Sequence, residues 1–442
     1  MFFSISKQGY LCYSGNMVHF EKKVLDNGLR VIVAPMVNSE AATLLVLANI
    51  GSRFETKNIS GISHFLEHLF FKGTKSRPKP GQALKDLDKI GATHNAFTSK
   101  ETTGFWVKSS AKDFDVGLDI VSDILLEPLF KPEEIEKEKG VILQEINMYE
   151  DEPRRKVWDI LENVLFGDQP IGWDVIGTKE SVSKIKRDDI VRYKEANYFS
   201  KNMLIVAAGN LEVKETFSKI AKYFGKVKKG KNKPCQKVKI FQNSPRLKIT
   251  EKKTDQTHLA LAVMAYDMFD EKRYILNLLS VILGGNSSSR LFREIREKLG
   301  LAYGIYAFPD YATDCGYLGI GAGISHSELE RVVKKIIEIL KSIKEKGVSK
   351  EELKSAKNFI RGQTALKLET SDDIATFCAS QELFYNKVLQ PEEILKKIEK
   401  VSQSDIIKTS REVFRSDKIN SAVISQYKEG KEREFRKLFS KL

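Results

Sequence analysis

The chain has 442 residues, 41% of them hydrophobic, and a formal net charge of +14. That length exceeds one core of usual size, so two or more domains are expected, and the apolar fraction excludes a disordered chain. No apolar run reaches the ~18 residues that a membrane span needs, so no span is expected. The lysine surplus is scattered through predicted helices rather than interleaved with aromatics in one patch, which reads as solvated surface and not as a nucleic-acid site.

The N-terminus lacks a basic start followed by a continuous apolar core, so it does not read as a signal peptide. Residues 1–17 read as an extension, with Met17 as an alternative start. NGLRVIVAP and AATLLVLANIGS then read as strands rich in branched residues. GISHFLEHLFFKG and PGQALKDLDKIGA read as helices, and FDVGLDIVSDILLEP as an amphipathic helix stopped by Pro128. KPEEIEKEKGVILQEINMYEDEP is a longer helix with Pro132 in its first turn and Pro153 at its end. The lysine-rich stretch from Lys226 to Pro245 reads as an exposed join. Beyond it, PRLKITEKKT and THLALAVMAYD are predicted strands. EKRYILNLLSVILGG, SRLFREIREKLG and ELERVVKKIIEILKSIKEKG are predicted helices.

The two halves match at nearly constant offsets. Lys89-Ile90-Gly91 pairs with Lys298-Leu299-Gly300, 209 apart, and Pro132-Glu133-Glu134-Ile135 with Lys350-Glu351-Glu352-Leu353, 218 apart. Such ordered matches predict a duplicated unit. The fold class expected is α+β: two homologous α/β units, 18–228 and 246–442, joined by a linker at 229–245. The four cysteines are far apart with no CxxC, which reads as reduced thiols and a cytoplasmic location.

Chemistry concentrates in the first unit. His64 and His68 are four apart, so on a helix they share one face and can share one ion. Glu67 lies beside that face, giving the His-x-x-Glu-His order, the inverse of the commoner zincin motif. A catalytic zinc wants three protein ligands and an open position, so a third ligand is needed. Glu138 and Glu145 are seven apart on the long helix, among apolar residues. Glu145 sits deeper, where an unpaired carboxylate is costly and a cation would resolve the cost. At the corresponding place in the second half stands Gln363, and the segment Tyr274–Gly285 matching the histidine helix holds neither histidine nor glutamate.

With HFLEH, a glutamate 77 residues after its last histidine, and SRLFREIREKLGLAYGIYAF, the sequence resembles the pitrilysin-type zinc metallopeptidases over nearly its whole length. That family includes the insulin-degrading enzyme and the mitochondrial processing peptidase. The resemblance implies one Zn²⁺ per chain held by His64, His68 and Glu145. It implies Glu67 as general base for the water that attacks the scissile carbonyl, and Glu138 as a carboxylate supporting the site. ATHNAFTSKETTGFW resembles the family's active-site edge strand, with Asn95 and Ala96 contacting substrate backbone. Arg296 and Tyr303 match its substrate-holding pair. With two units here and four in some relatives, the resemblance to two-unit members implies that each chain forms half of a clam-shell chamber. Two identical chains would close it, and each active site would combine the zinc half of one with the Arg296–Tyr303 half of the other. The expected activity is a zinc endopeptidase for unfolded peptides or precursor segments, without an ATP motor, since no Walker loop appears. A structural role on the same fold and a nucleic-acid role are the competing readings. The intact HFLEH motif argues against the first, and the lack of a stacking or helix-turn-helix motif against the second.

Overall fold

The computed structural model describes residues 17–231, 234–426 and 432–442. Residues 1–16 with Cys12, and two residues of the predicted linker, lie outside the described residues. Two mixed sheets organise the chain. The first contains β1 (Glu21–Val24), β2 (Arg30–Pro35), β3 (Ala41–Ala48), β4 (Thr93–Thr98), β5 (Thr103–Ser110) and β6 (Met203–Gly209), in the order β1-β2-β6-β3-β5-β4. The second contains β7 (Arg246–Glu251), β8 (Thr257–Met264), β9 (Ala302–Tyr311), β10 (Gly316–Ile324) and β11 (Ile419–Ser425), in the order β7-β11-β8-β10-β9. In each sheet one parallel pair (β2 with β6, β7 with β11) is followed by antiparallel pairs only. Five strands therefore correspond one to one, as expected for a duplicated, mainly antiparallel α+β unit.

The central strands read as unbroken apolar runs because both of their faces are covered. Leu44 and Val46 of β3 face Phe65, Leu66, Leu118 and Ile142, which come from helices of the same half. Leu45 and Leu47 face the other way, onto Ile374, Ala375 and Cys378 of the Ser371–Tyr385 helix, which belongs to the second half. The exchange is reciprocal. Val157, Leu161 and Leu165 of the Pro153–Phe166 helix, in the first half, cover Ala260 and Ala262 of β8 and Ala422 and Ile424 of β11. Each sheet is thus closed by a helix from the other half. The segment from Pro234 to Pro245 contains no strand or helix.

A buried ionic cluster joins the halves near the end of β4. Arg53, 2% exposed, pairs with Glu101 in the β4–β5 turn and with Asp314 in the β9–β10 turn. It also donates to Thr313 Oγ1 (3.2 Å) and to the Gln236 carbonyl (3.1 Å). Thr313 donates in turn to Glu101 through its N–H and its hydroxyl. Every charge in the cluster has a partner, which is the condition for tolerating it in the interior. Removing the arginine alone leaves two carboxylates behind, so Arg53→Ala is expected to lower stability by about 3–5 kcal/mol. The shift of the urea unfolding midpoint measures this; an unchanged midpoint would mean that the cluster is solvated and does not hold the halves.

Candidate metal centre

The Ile62–Leu69 helix packs with its apolar side on the first sheet: Ile62, Phe65, Leu66 and Leu69 are buried. This leaves His64, Glu67 and His68 on the opposite side, beside the Pro132–Glu150 helix. Pro132 starts that helix, where its missing N–H costs nothing. Ile135, Ile142 and Ile146 are buried in the core and bring Glu138 and Glu145 toward the histidines.

One ligand atom from each of His64, His68 and Glu145 lies within 4.8 Å of the others. His64 Nε2 is 3.7 Å from Glu145 Oε1, and His68 Nε2 is 3.5 Å from Glu145 Oε2. Two ligands on a tetrahedral zinc at 2.0–2.1 Å would be about 3.4 Å apart. The spacings suit donors around one ion better than direct hydrogen bonds.

The electrostatics agree with a cation at this point. Burial pushes the His64 pKa down to about 3, helped by His68 and Arg155, so its imidazole is neutral and has a lone pair to give. Its Nδ1 is buried without a partner among the described residues. His68 differs. Burial opposes its protonation, but the hydrogen bond to Glu138 and the charges of Glu138, Glu145 and Glu67 outweigh that and raise its pKa. Carboxylates thus draw positive charge to His68, and a divalent ion would take the place of the proton. His68 Nδ1 is 2.8 Å from Glu138 Oε1, which fixes the tautomer and leaves Nε2 free for a metal. Lys72 holds the other Glu138 oxygen at 2.7 Å. Burial alone would raise the Glu138 pKa; the hydrogen bonds from His68 and Lys72 outweigh it and keep the carboxyl below its usual range. The donor set therefore fits zinc: two imidazole nitrogens, one of them on a carboxylate-anchored histidine, and one carboxylate oxygen.

Glu67 is set beside this group, and its pKa is raised, mainly by burial. The Thr98 hydroxyl donates to Glu67 Oε2 at 2.6 Å. Thr98 ends β4, the edge strand of the sheet, which places Ala96 two residues away on the same face. Asn95 points to the opposite face and is exposed; its side-chain oxygen accepts the Ala96 N–H (2.9 Å). Arg296 and Tyr303 also meet. The guanidinium lies 5.6 Å from the Tyr303 ring centroid and 4.7 Å from that of Phe292. Tyr303, 81% exposed, is on β9, the edge of the second sheet. The expected site residues therefore form two groups, one beside each sheet.

Sequence reasoning missed four supports, Tyr149, Arg155, Lys72 and Thr98. The Tyr149 hydroxyl donates to Glu145, and Arg155 stacks over the Tyr149 ring at 3.4 Å. Lys72 and Tyr149 each follow a site residue by four, a helical spacing that could have flagged them. Thr98 needed the strand–helix contact, which no local pattern carries. Glu138→Gln is expected to weaken zinc binding about 10–100-fold, since it weakens the anchor of His68 and leaves Lys72 without its charge partner. Competition with a chromogenic chelator reads this directly, and an unchanged affinity would remove Glu138 from the site.

Comparison with known proteins places the fold. The family described as Insulinase (Peptidase family M16) matches residues 30–179, and Peptidase M16 inactive domain matches residues 184–360. The uncharacterized zinc protease YmxG of Bacillus subtilis is 33% identical over 394 residues, 88% of this chain and 95% of the relative. The uncharacterized zinc protease SCO5738 of Streptomyces coelicolor is 31% identical over 399 residues, 89% of this chain and 87% of the relative. A protease from Helicobacter pylori superposes with a TM-score of 0.87 at 24% identity, over 92% of this chain and 100% of that one. The chain belongs to the M16 (pitrilysin-type) peptidase family. No helix among the described residues is long and apolar enough to cross a membrane.

Proposed function

We propose that this protein is a zinc-dependent endopeptidase that cleaves unfolded peptides or precursor segments inside a closed chamber. The observation that carries the proposal is the convergence of His64, His68 and Glu145 on one point, with Glu67 beside them and an open sheet edge adjoining. The relatives' names, zinc proteases, support the same reading. In this reading His64, His68 and Glu145 hold one Zn²⁺ per chain and Glu138 holds His68. Zinc there supplies Lewis acidity, polarising the scissile carbonyl and acidifying a water.

The chain's own residues do the rest. An extended peptide adds to β4 as one more strand and takes the Ala96 N–H from the Asn95 side chain. Backbone recognition of this kind tolerates many side chains. Glu67 accepts the proton of the attacking water and hands it to the leaving amine. Burial favours the protonated carboxyl that it becomes in between, while Thr98 keeps one oxygen in place. Arg296 and Tyr303 hold the substrate from the facing side. Since Tyr303 stands on the second sheet's edge strand and Arg296 on the helical segment Phe292–Lys298 beside it, we propose that they serve the site of a partner copy in a homodimer. A cytoplasmic location is part of the same proposal.

The test is cleavage of a quenched fluorescent peptide library by the purified protein, before and after chelation and after zinc add-back. Cleavage lost with chelator and restored by zinc is expected. Cleavage that persists after zinc removal contradicts the reading.

A further inference from the structure

We infer that Glu55 is a positioning residue for the metal centre: its buried carboxylate caps the Ile62–Leu69 helix and thereby fixes where His64, Glu67 and His68 stand. The inference rests on the zinc reading above.

Glu55 is 4% exposed. Its Oε2 accepts the N–H of Gly61 (2.7 Å), and its Oε1 accepts the N–H of Ser63 (2.8 Å). A helix leaves the N–H groups of its first turn without partners, and a side chain at the N-cap usually supplies one. Here the N-cap is Gly61, and it has to be glycine. Its φ is +92°, and a Cβ there would stand 2.5 Å from the Ile176 carbonyl oxygen. No Ser, Asp or Asn can occupy the position, so the cap comes from a carboxylate six residues earlier. A negative charge at this end is also favoured by the helix dipole.

The cap matters because the helix is short. It has eight residues, and His64 stands in its first turn. Isolated helices of that length are marginal, so the first turn needs support from outside. Ser63 receives a second anchor, with its Oγ 2.7 Å from the Tyr193 hydroxyl. The segment that carries Glu55 is itself held. The N–H groups of Ser52 and Arg53 donate to the carbonyls of Ser99 and Lys100 (3.1 and 2.9 Å). Ser99 follows Thr98, which holds Glu67. One hairpin thus steadies the helix from both ends, through Glu55 at its start and Thr98 at Glu67. Burial pushes the Glu55 carboxyl up to about 7; the two N–H groups, the Ser63 hydroxyl and the charge of Lys100 act in the opposite sense. Its carboxylate hydrogen-bonds to the Gly61 and Ser63 backbone and not to the proposed ligand atoms among the described residues, so it acts through the helix.

The experiment compares the full-length wild type, Glu55→Gln and Ser349→Ala at pH 8. Ser349 caps the Lys350–Leu366 helix of the second unit, so its loss is a similar lesion away from the metal. Two readouts are taken: the Zn²⁺ dissociation constant by chelator competition, and the visible spectrum of the Co²⁺-substituted protein. Glu55→Gln is expected to bind zinc about 10–100-fold more weakly, in the manner of a lost supporting residue, and to shift the cobalt bands. Ser349→Ala should match wild type in both. If the folded Glu55→Gln protein keeps wild-type affinity and cobalt bands, Glu55 is only structural and the inference fails. If Glu55→Gln does not fold, amide hydrogen exchange of the wild type decides. Slow exchange at Gly61 and Ser63 supports the cap, and exchange at loop rates overturns it. A wild type that binds neither Zn²⁺ nor Co²⁺ refutes the zinc reading and this inference together.

Discussion

Glu67→Gln is expected to lower kcat/KM for peptide cleavage by about 10²–10⁴-fold while zinc content stays at the wild-type level. Glutamine matches glutamate in size and can still accept the Thr98 hydroxyl, so the packing around it is retained. It cannot take a proton from water at neutral pH. The loss should fall on kcat rather than KM, because in the proposed function β4 holds the peptide backbone and Glu67 acts only in the proton transfer. Steady-state kinetics with a fluorogenic peptide, alongside metal analysis, separate the cases. A variant with near wild-type kcat would remove Glu67 from the proton-transfer step. A variant that has lost its zinc would point to Glu67 as a ligand.

The second large effect is expected at the ligand set itself. Glu145→Gln and His68→Ala should each weaken zinc binding by more than the ~100-fold that loss of a supporting residue causes. They should abolish cleavage at sub-micromolar free zinc. The physical reason is the donor count: a catalytic zinc needs three protein ligands, and each variant removes or weakens one of the three proposed here. For Glu145→Gln the charge of the site changes as well, because one carboxylate is lost while Glu138 stays paired with Lys72. Excess zinc should restore part of the Glu145→Gln activity, since an amide oxygen can still coordinate weakly. Titration by competition with a chelator gives the affinities. Wild-type zinc affinity in Glu145→Gln would place the third ligand elsewhere.

Much of the fold was legible in local pattern. β3 and β6 are apolar along their length because they are central and covered on both faces. The histidine helix was legible because its buried residues, Ile62, Phe65, Leu66 and Leu69, leave His64 and His68 on the other side. The duplication showed through short matches at constant offsets, and the corresponding order of five strands in the two sheets agrees with it. The exchange of helices between the halves was not legible. The apolar stripe of Pro153–Phe166 says that this helix is buried, and nothing in it says that β8 and β11 are what it covers. Arg53 and Glu55 were missed for a related reason. In sequence, GSRFETK carries no motif that singles out either residue. Only in three dimensions does the arginine meet Asp314 from the other half and the glutamate meet Gly61 and Ser63. The charge partners of Arg53 are far along the chain, and those of Glu55 are backbone N–H groups, so neither leaves a side-chain period to detect.

The most direct test of the account is a crystal structure of Glu67→Gln soaked with a susceptible peptide, with diffraction measured on both sides of the zinc edge. One anomalous peak per chain is expected, within about 2.0–2.2 Å of nitrogens of His64 and His68 and an oxygen of Glu145. Peptide density is expected along β4, with a backbone contact to Ala96. A peak at other residues, no peak from a zinc-supplemented crystal, or peptide density away from β4 would contradict the account.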